Sequence, residues 1–103
     1  MKAAERQHLE RVAALSCCVC KRFGAPDFPG SNAIHHVAEG SGKRSWFAIA
    51  RLCREHHQGA TGIHGMGVRA FCRVYRPPGD KEEGLLVWTN EDLAERDSAD
   101  RRR

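Results

Sequence analysis

The spacing of apolar residues divides this chain into segments of different period. From Met1 to Leu15, Leu9, Val12 and Ala13 recur at helical spacing while Glu and Arg fill the other positions, which predicts an amphipathic helix over 1–15. The helical period is lost after Leu15. Cys17 to Asn32 carries Gly24, Pro26, Pro29 and Gly30, so this stretch is read as a tight knuckle followed by loop. Two short apolar runs rich in β-branched or aromatic residues follow, Ala33 to Val37 and Trp46 to Leu52, on either side of the turn-rich segment Glu39 to Lys43. They predict a hairpin whose loop is longer than the tightest turns. Cys53 to Gln58 reads as the start of a helix, interrupted by Gly59 to Gly62.

In the second half, Met66, Ala70, Phe71, Val74 and Tyr75 fall on one helical face before Pro77, Pro78 and Gly79 stop the pattern, and they are read as core residues. Lys81 to Gly84 is a charged loop or a helix start, and Leu85 to Trp88 is too short to assign to strand or helix. Thr89, with Glu91 and Asp92 behind it, resembles an N-cap for a last helix running to about Arg96. Residues 98–103 are expected to be a disordered basic tail. The result is an α+β fold in one domain over 1–97, with a helix over 1–15, a knuckle, hairpin and helix over 17–58, and C-terminal helices over 64–97.

Composition narrows the chemistry. A chain of 103 residues buries only roughly 65% of its unfolded surface, so its own core is modest and a cross-link would help it. Five cysteines without an apolar leader in Met1 to Glu10 point to the reducing cytosol, where cysteines near histidines read as metal ligands and not as a disulfide framework. No apolar run approaches the ~20 residues of a membrane span. Lys and Arg number 17 against 13 Asp and Glu, a net charge of +4, with a pI near 9.0. That balance suits a polyanionic partner, and Lys43, Arg44, Arg51 and Arg54 recur near the cysteines and histidines, where they are candidates for gripping phosphates.

A structural zinc ion takes four nitrogen or sulfur ligands, and ligands two residues apart on a turn can chelate it. Cys17-x-x-Cys20 and Cys53-x-x-His56 are two such pairs, separated by a spacing that suits a knuckle joined to a helix. Cys18 can replace Cys17 by a shift of register, although a Cys-x-Cys bite on one ion is less usual. Cys72 lies within the apolar helix and is read as a buried thiol. His35, His36 and His57 remain. Adjacent strand residues point to opposite faces, so one of His35 and His36 can bind metal while the other acts as a base near neutral pH.

These residues resemble a known family. Ile34-His35-His36-Val37, a Gly-rich connector, and Leu52-Cys53-Arg54-Glu55-His56-His57 are similar to the HNH, or ββα-metal, endonucleases. More narrowly, Arg11 to Leu93, about four fifths of the chain, resembles small phage and prophage proteins of the Ref type, the RecA-dependent recombination-enhancement nucleases. The resemblance lies in Val12 to Cys20, His35 to Gly40, Leu52 to Gly59, and Gly62-Ile63-His64-Gly65 ahead of an apolar helix.

The resemblance implies a zinc-stapled ββα-metal core with flanking helices. Cys17, Cys20, Cys53 and His56 match the structural zinc positions, His36 the general base, and His35 a metal ligand where many members have Asp. His57 matches the last histidine of the motif, a second ligand. His64 is a third ligand, a phosphate contact, or a surface histidine at a helix start. The implied activity is metal-dependent hydrolysis of DNA with low sequence specificity, using Zn²⁺, Ni²⁺, Mn²⁺ or Mg²⁺, with DNA and a recombinase filament as partners.

One departure stands out. The middle Asn or His of the motif, which orients the base through a backbone contact, has no counterpart between Val37 and Glu55; Trp46 or Phe47 stands there, beside Ser45. That departure keeps open a second reading, a zinc-stapled nucleic-acid-binding module without cleavage. A thiol redox protein on Cys17-x-x-Cys20 is disfavoured, because no βαβ pattern surrounds the pair.

Overall fold

The computed structural model describes residues 1–27, 33–37 and 45–102. In chain order the elements are α1 (Ala3–Ala13), α2 (Cys18–Phe23), β1 (Ala33–His36), β2 (Ile49–Leu52), α3 (Arg54–Gln58), α4 (Ile63–Met66), α5 (Val68–Tyr75), a 3₁₀ turn (Pro78–Asp80) and α6 (Gly84–Arg101). This is the expected small α+β fold, a two-stranded sheet with helices at both ends.

The hairpin is antiparallel, with Ala33 opposite Leu52, Ile34 opposite Arg51, His35 opposite Ala50 and His36 opposite Ile49. All four residues of β2 are buried, because α1 covers one side of the strand and α2, α3 and α6 surround the rest. The second strand is shorter than its apolar run predicts. Trp46 to Ala48 form a turn, closed where the Ala48 amide donates to the Ser45 carbonyl at 3.2 Å, and the Val37 amide donates across the hairpin to the Ala48 carbonyl at 2.9 Å. The connecting segment Glu39 to Lys43 lies outside the described residues.

α1 forms where its amphipathic pattern places it. Glu5 accepts the Lys2 amide at 2.8 Å and so caps the first turn, and Val12 is fully buried against Ile49 of β2 and Leu93 of α6. The knuckle after Cys17 winds into α2 instead of running directly into loop, and Gly24 stops that helix in the left-handed conformation at φ 67°.

The C-terminal third departs most from expectation. Leu85 to Trp88, unassigned from sequence, begins α6, and Leu85, Trp88, Thr89, Asp92 and Leu93 form its buried stripe. Thr89 therefore caps nothing: it lies inside the helix, and its hydroxyl donates to the Leu85 carbonyl at 2.8 Å. Residues 98–101 are helical where a disordered tail was expected. Two contacts hold this half of α6 against α1, Arg11 to Asp97 at 2.8 Å and Arg96 to the Ala14 carbonyl at 3.0 Å. On α5, Phe71 is buried as expected, whereas Val74 turns out and is 54% exposed. Cys72 is a buried thiol.

α6 is tied to α2 chiefly by one buried carboxylate, with the exposed Glu95 also accepting from Lys21 at 2.8 Å. Asp92, 4% exposed, accepts from the two terminal nitrogens of Arg22 at 2.9 and 3.0 Å and from Lys21 at 2.9 Å, while the Arg22 guanidinium lies 5.0 Å from the Trp88 ring centroid. Asp92→Ala leaves two cations without their buried acceptor. Complete burial would make that loss about 3–5 kcal/mol. With Lys21 and Arg22 at 36% and 21% exposure, water recovers part of it, and the expected loss is roughly 2–3 kcal/mol in urea unfolding; a midpoint unchanged from wild type would contradict this role.

Candidate metal centres

Two groups of metal-capable side chains assemble at the junction of the hairpin with α3, and the backbone explains why there are two. Cys53 is the N-cap of α3, with its sulfur accepting the His56 amide at 3.4 Å. On a helix, successive residues are turned by about 100°, so His56 and His57 leave α3 in different directions. On β1 the turn between neighbours is about 180°, so His35 faces inward at 4% exposure while His36 takes the other face.

The first group is Cys17, Cys20, Cys53 and His56. Cys17 caps α2 as Cys53 caps α3, its sulfur accepting the Cys20 amide at 3.5 Å. The His56 Nδ1 lies 3.7, 3.4 and 3.2 Å from the sulfurs of Cys17, Cys20 and Cys53, and the Cys20 and Cys53 sulfurs are 3.7 Å apart. A tetrahedral ion with zinc-like bonds needs edges of roughly 3.8 Å between sulfurs and 3.6 Å from sulfur to nitrogen. The four residues therefore fit a single metal ion.

Burial raises the Cys17 and Cys20 thiols above the ordinary cysteine range. They ionise only with compensation, and metal uptake would release their protons. Cys18 is not part of this group. It is buried beside the Arg22 and Asp92 pair, with its thiol pushed to about 12, first by burial and then by the Cys17 sulfur.

The second group is His35, His57 and His64, whose ligand atoms all lie within 4.8 Å of one another. Their ring centroids are 5.4, 5.2 and 4.7 Å apart. Burial first, and then the His35 and His64 charges, lower the pKa of His57 to about 4. Burial also lowers that of His35, against an opposing pull from Glu82. Both imidazoles are thus neutral near pH 7 with a lone pair to give.

His64 reaches this group because α4 packs closely on α3. A side chain at Gly62 would strike the Glu55 carbonyl, and one at Gly65 would strike the Gly59 carbonyl. The turn between the helices is held by Glu55, which accepts from the Thr61 amide at 2.9 Å and hydroxyl at 2.7 Å, and by Tyr75, whose hydroxyl donates to the Thr61 carbonyl at 3.0 Å.

His36 lies on the opposite face of β1 from His35, the face that it shares with Ile34 and with Ile49 of β2. Its ring meets Trp46 edge-on, with centroids 4.5 Å apart, and its buried Nδ1 has no hydrogen-bond partner among the described residues. Of the basic residues singled out from the sequence, Arg54 is exposed on α3, whereas Arg51 is 6% exposed and its guanidinium pairs with Asp27. The burial of β2 that sequestered Arg51 was not visible in its charge, and it withdraws this side chain from the candidate phosphate contacts. Lys43 and Arg44 lie outside the described residues. Asp27 also accepts the Cys17 amide at 3.2 Å, so the Arg51 pair buttresses the cysteine group.

Sequence reasoning missed Glu82, whose Oε2 lies 2.7 Å from His35 Nε2 across 47 residues of chain. It stands in a charged run with no periodicity, and only the fold brings it to β1.

Two outcomes test this geometry. Cys53→Ala removes a ligand and the α3 cap together, and structural metal sites in small domains contribute about 10–16 kcal/mol, comparable to the whole net stability of about 5–15 kcal/mol. The variant should lose its bound metal and its cooperative melting transition; a wild-type transition with metal retained would refute the four-ligand group. Gly65→Ala should push α4 off α3 and weaken divalent-metal binding at the histidines, while the cysteine group keeps its ion; equal affinity at both sites would show that the close approach is dispensable.

No curated protein and no solved structure matches this chain at a significant level. A family model does, described as recombination enhancement, RecA-dependent nuclease, over residues 1–94. With more than nine tenths of its sequence matched, the chain belongs to the family of RecA-dependent recombination-enhancement nucleases.

Proposed function

We propose that this protein is a metal-dependent endonuclease of the HNH type that hydrolyses DNA phosphodiesters with little sequence specificity, in concert with a recombinase filament. The observation that carries this reading is the convergence of His35, His57 and His64, in a chain whose family is one of nucleases. In this reading Cys17, Cys20, Cys53 and His56 hold a structural zinc, and His35, His57 and His64 hold a divalent cation. Imidazole ligands favour zinc, nickel, cobalt or manganese over magnesium. A cation bound there supplies Lewis acidity for the charge that develops on the phosphate and the leaving 3′ oxygen.

The remaining work falls to the chain's own groups. His36, not committed to the three-histidine cluster, takes the proton of the attacking water. Trp46 orients it by ring contact in place of the backbone contact that the missing Asn or His provides in relatives. Arg54, with Lys43 and Arg44, holds the phosphate backbone, and contacts of that kind are indifferent to base sequence. The same substitution at Trp46 favours one other reading, a zinc-stapled nucleic-acid-binding module without cleavage.

Nicking of supercoiled plasmid by the pure protein, with and without RecA filaments and with Mn²⁺, Ni²⁺ or Mg²⁺, separates the two. Cleavage should occur, stop with chelator, and be absent in His57→Ala. His36→Ala should keep the fold and both metals yet slow cleavage by about 10²–10⁴, and Trp46→His or Trp46→Asn should speed it. DNA binding that weakens steeply with salt, with no nicking under any metal or filament condition, would establish the binding module instead.

A further inference from the structure

Glu82 lies in the short segment between the 3₁₀ turn and α6, far from the hairpin in sequence, yet its side chain is 12% exposed and meets a His35 side chain that is 5% exposed. The segment is rigidly placed. The Asp80 amide donates to the Pro77 carbonyl at 2.7 Å, the Gly84 amide to Lys81 at 3.0 Å, and the Leu85 amide to the Glu82 carbonyl at 2.9 Å. A side chain at Gly84 would collide with the backbone of Pro78, whose nitrogen lies 2.7 Å from that position. The carboxylate is thus delivered to His35 by a fixed turn, and its 2.7 Å separation from Nε2 is that of a charge-assisted hydrogen bond.

A neutral imidazole carries one proton, and a carboxylate can only accept. With Glu82 on Nε2, the proton resides on Nε2 and the lone pair on Nδ1. Metal-binding histidines commonly take this form, with a carboxylate on one ring nitrogen and the metal on the other. We propose that Glu82 is a positioning residue of the three-histidine site, holding His35 in the tautomer that offers Nδ1 to a divalent cation. The proposal rests on the reading of that site as cation-binding, and it makes the short segment before α6 part of a centre otherwise built from β1, α3 and α4.

The test uses the full-length protein with its cysteine site loaded with zinc. Long-range proton–nitrogen correlation spectra of the wild type, without metal at the histidines, should show His35 protonated on Nε2 and bare on Nδ1; the opposite tautomer overturns the proposal. Titration with Ni²⁺ should then show affinity at the second site falling about 10–100-fold in Glu82→Ala, as when other metal-binding histidines lose the carboxylate that holds them. Glu82→Gln, whose amide oxygen can still accept from Nε2, should recover most of it. Unchanged affinity in Glu82→Ala removes the role, and Glu82→Gln falling as far as Glu82→Ala makes the carboxylate a direct ligand and also overturns the proposal. Should Glu82→Ala lose its cysteine-site zinc, the near-isosteric Glu82→Gln and the wild-type tautomer decide the matter. Failure of the wild type to take up a second cation would instead refute the reading of the site itself, and both readouts are independent of whether DNA is cut.

Discussion

Four atoms, the sulfurs of Cys17, Cys20 and Cys53 and the Nδ1 of His56, come within 3.2 to 3.7 Å of one another in the pairs that define the cluster. Three thiols and an imidazole gathered so closely in a buried place gain little from each other without a cation, and with one they become the strongest cross-link available to a chain this short. The constraint is also directional. Cys17 and Cys53 each cap the helix that follows, so closing the cluster fixes the axes of α2 and α3 against β2. His57, one residue beyond His56, is then aimed at His35 and His64. The second group of histidines inherits its geometry from the first.

The rest of the fold supports that joint from outside. Asp27 takes the Cys17 amide and the Arg51 guanidinium, tying the knuckle to the buried strand. Asp92 binds Lys21 and Arg22 and clamps α6 over α2. Tyr75 packs edge-on against His56 at 5.2 Å between centroids while its hydroxyl holds the turn that presents α4. Each of these contacts joins residues far apart in the sequence.

What could be read in the sequence was local or chemically distinctive. The paired spacings of Cys17 with Cys20 and Cys53 with His56, the doubled histidines, and the apolar runs flanking a glycine-rich turn each carry their meaning within a few residues. What could not be read depends on neighbours in space. Arg51 looks like a phosphate ligand until β2 is seen to be covered on all sides. Thr89 looks like a cap because its type favours caps, but burial of Leu85, Trp88 and Leu93 on one stripe favours a helix that starts earlier, at Gly84. The contacts of Arg96 and Asp97 with α1 carry that helix to Arg101. Glu82 had no local signal at all, since its partner is brought to it by the hairpin.

On the proposed reading one helix, α3, serves two metal centres at once, a staple through His56 and a working site through His57. Anomalous scattering from crystals grown with zinc, or soaked with nickel or manganese, addresses it most directly. Two peaks are predicted, one enclosed by Cys17, Cys20, Cys53 and His56 and the other among His35, His57 and His64. A single peak at the cysteines under every metal, or a second peak away from those three histidines, would contradict it.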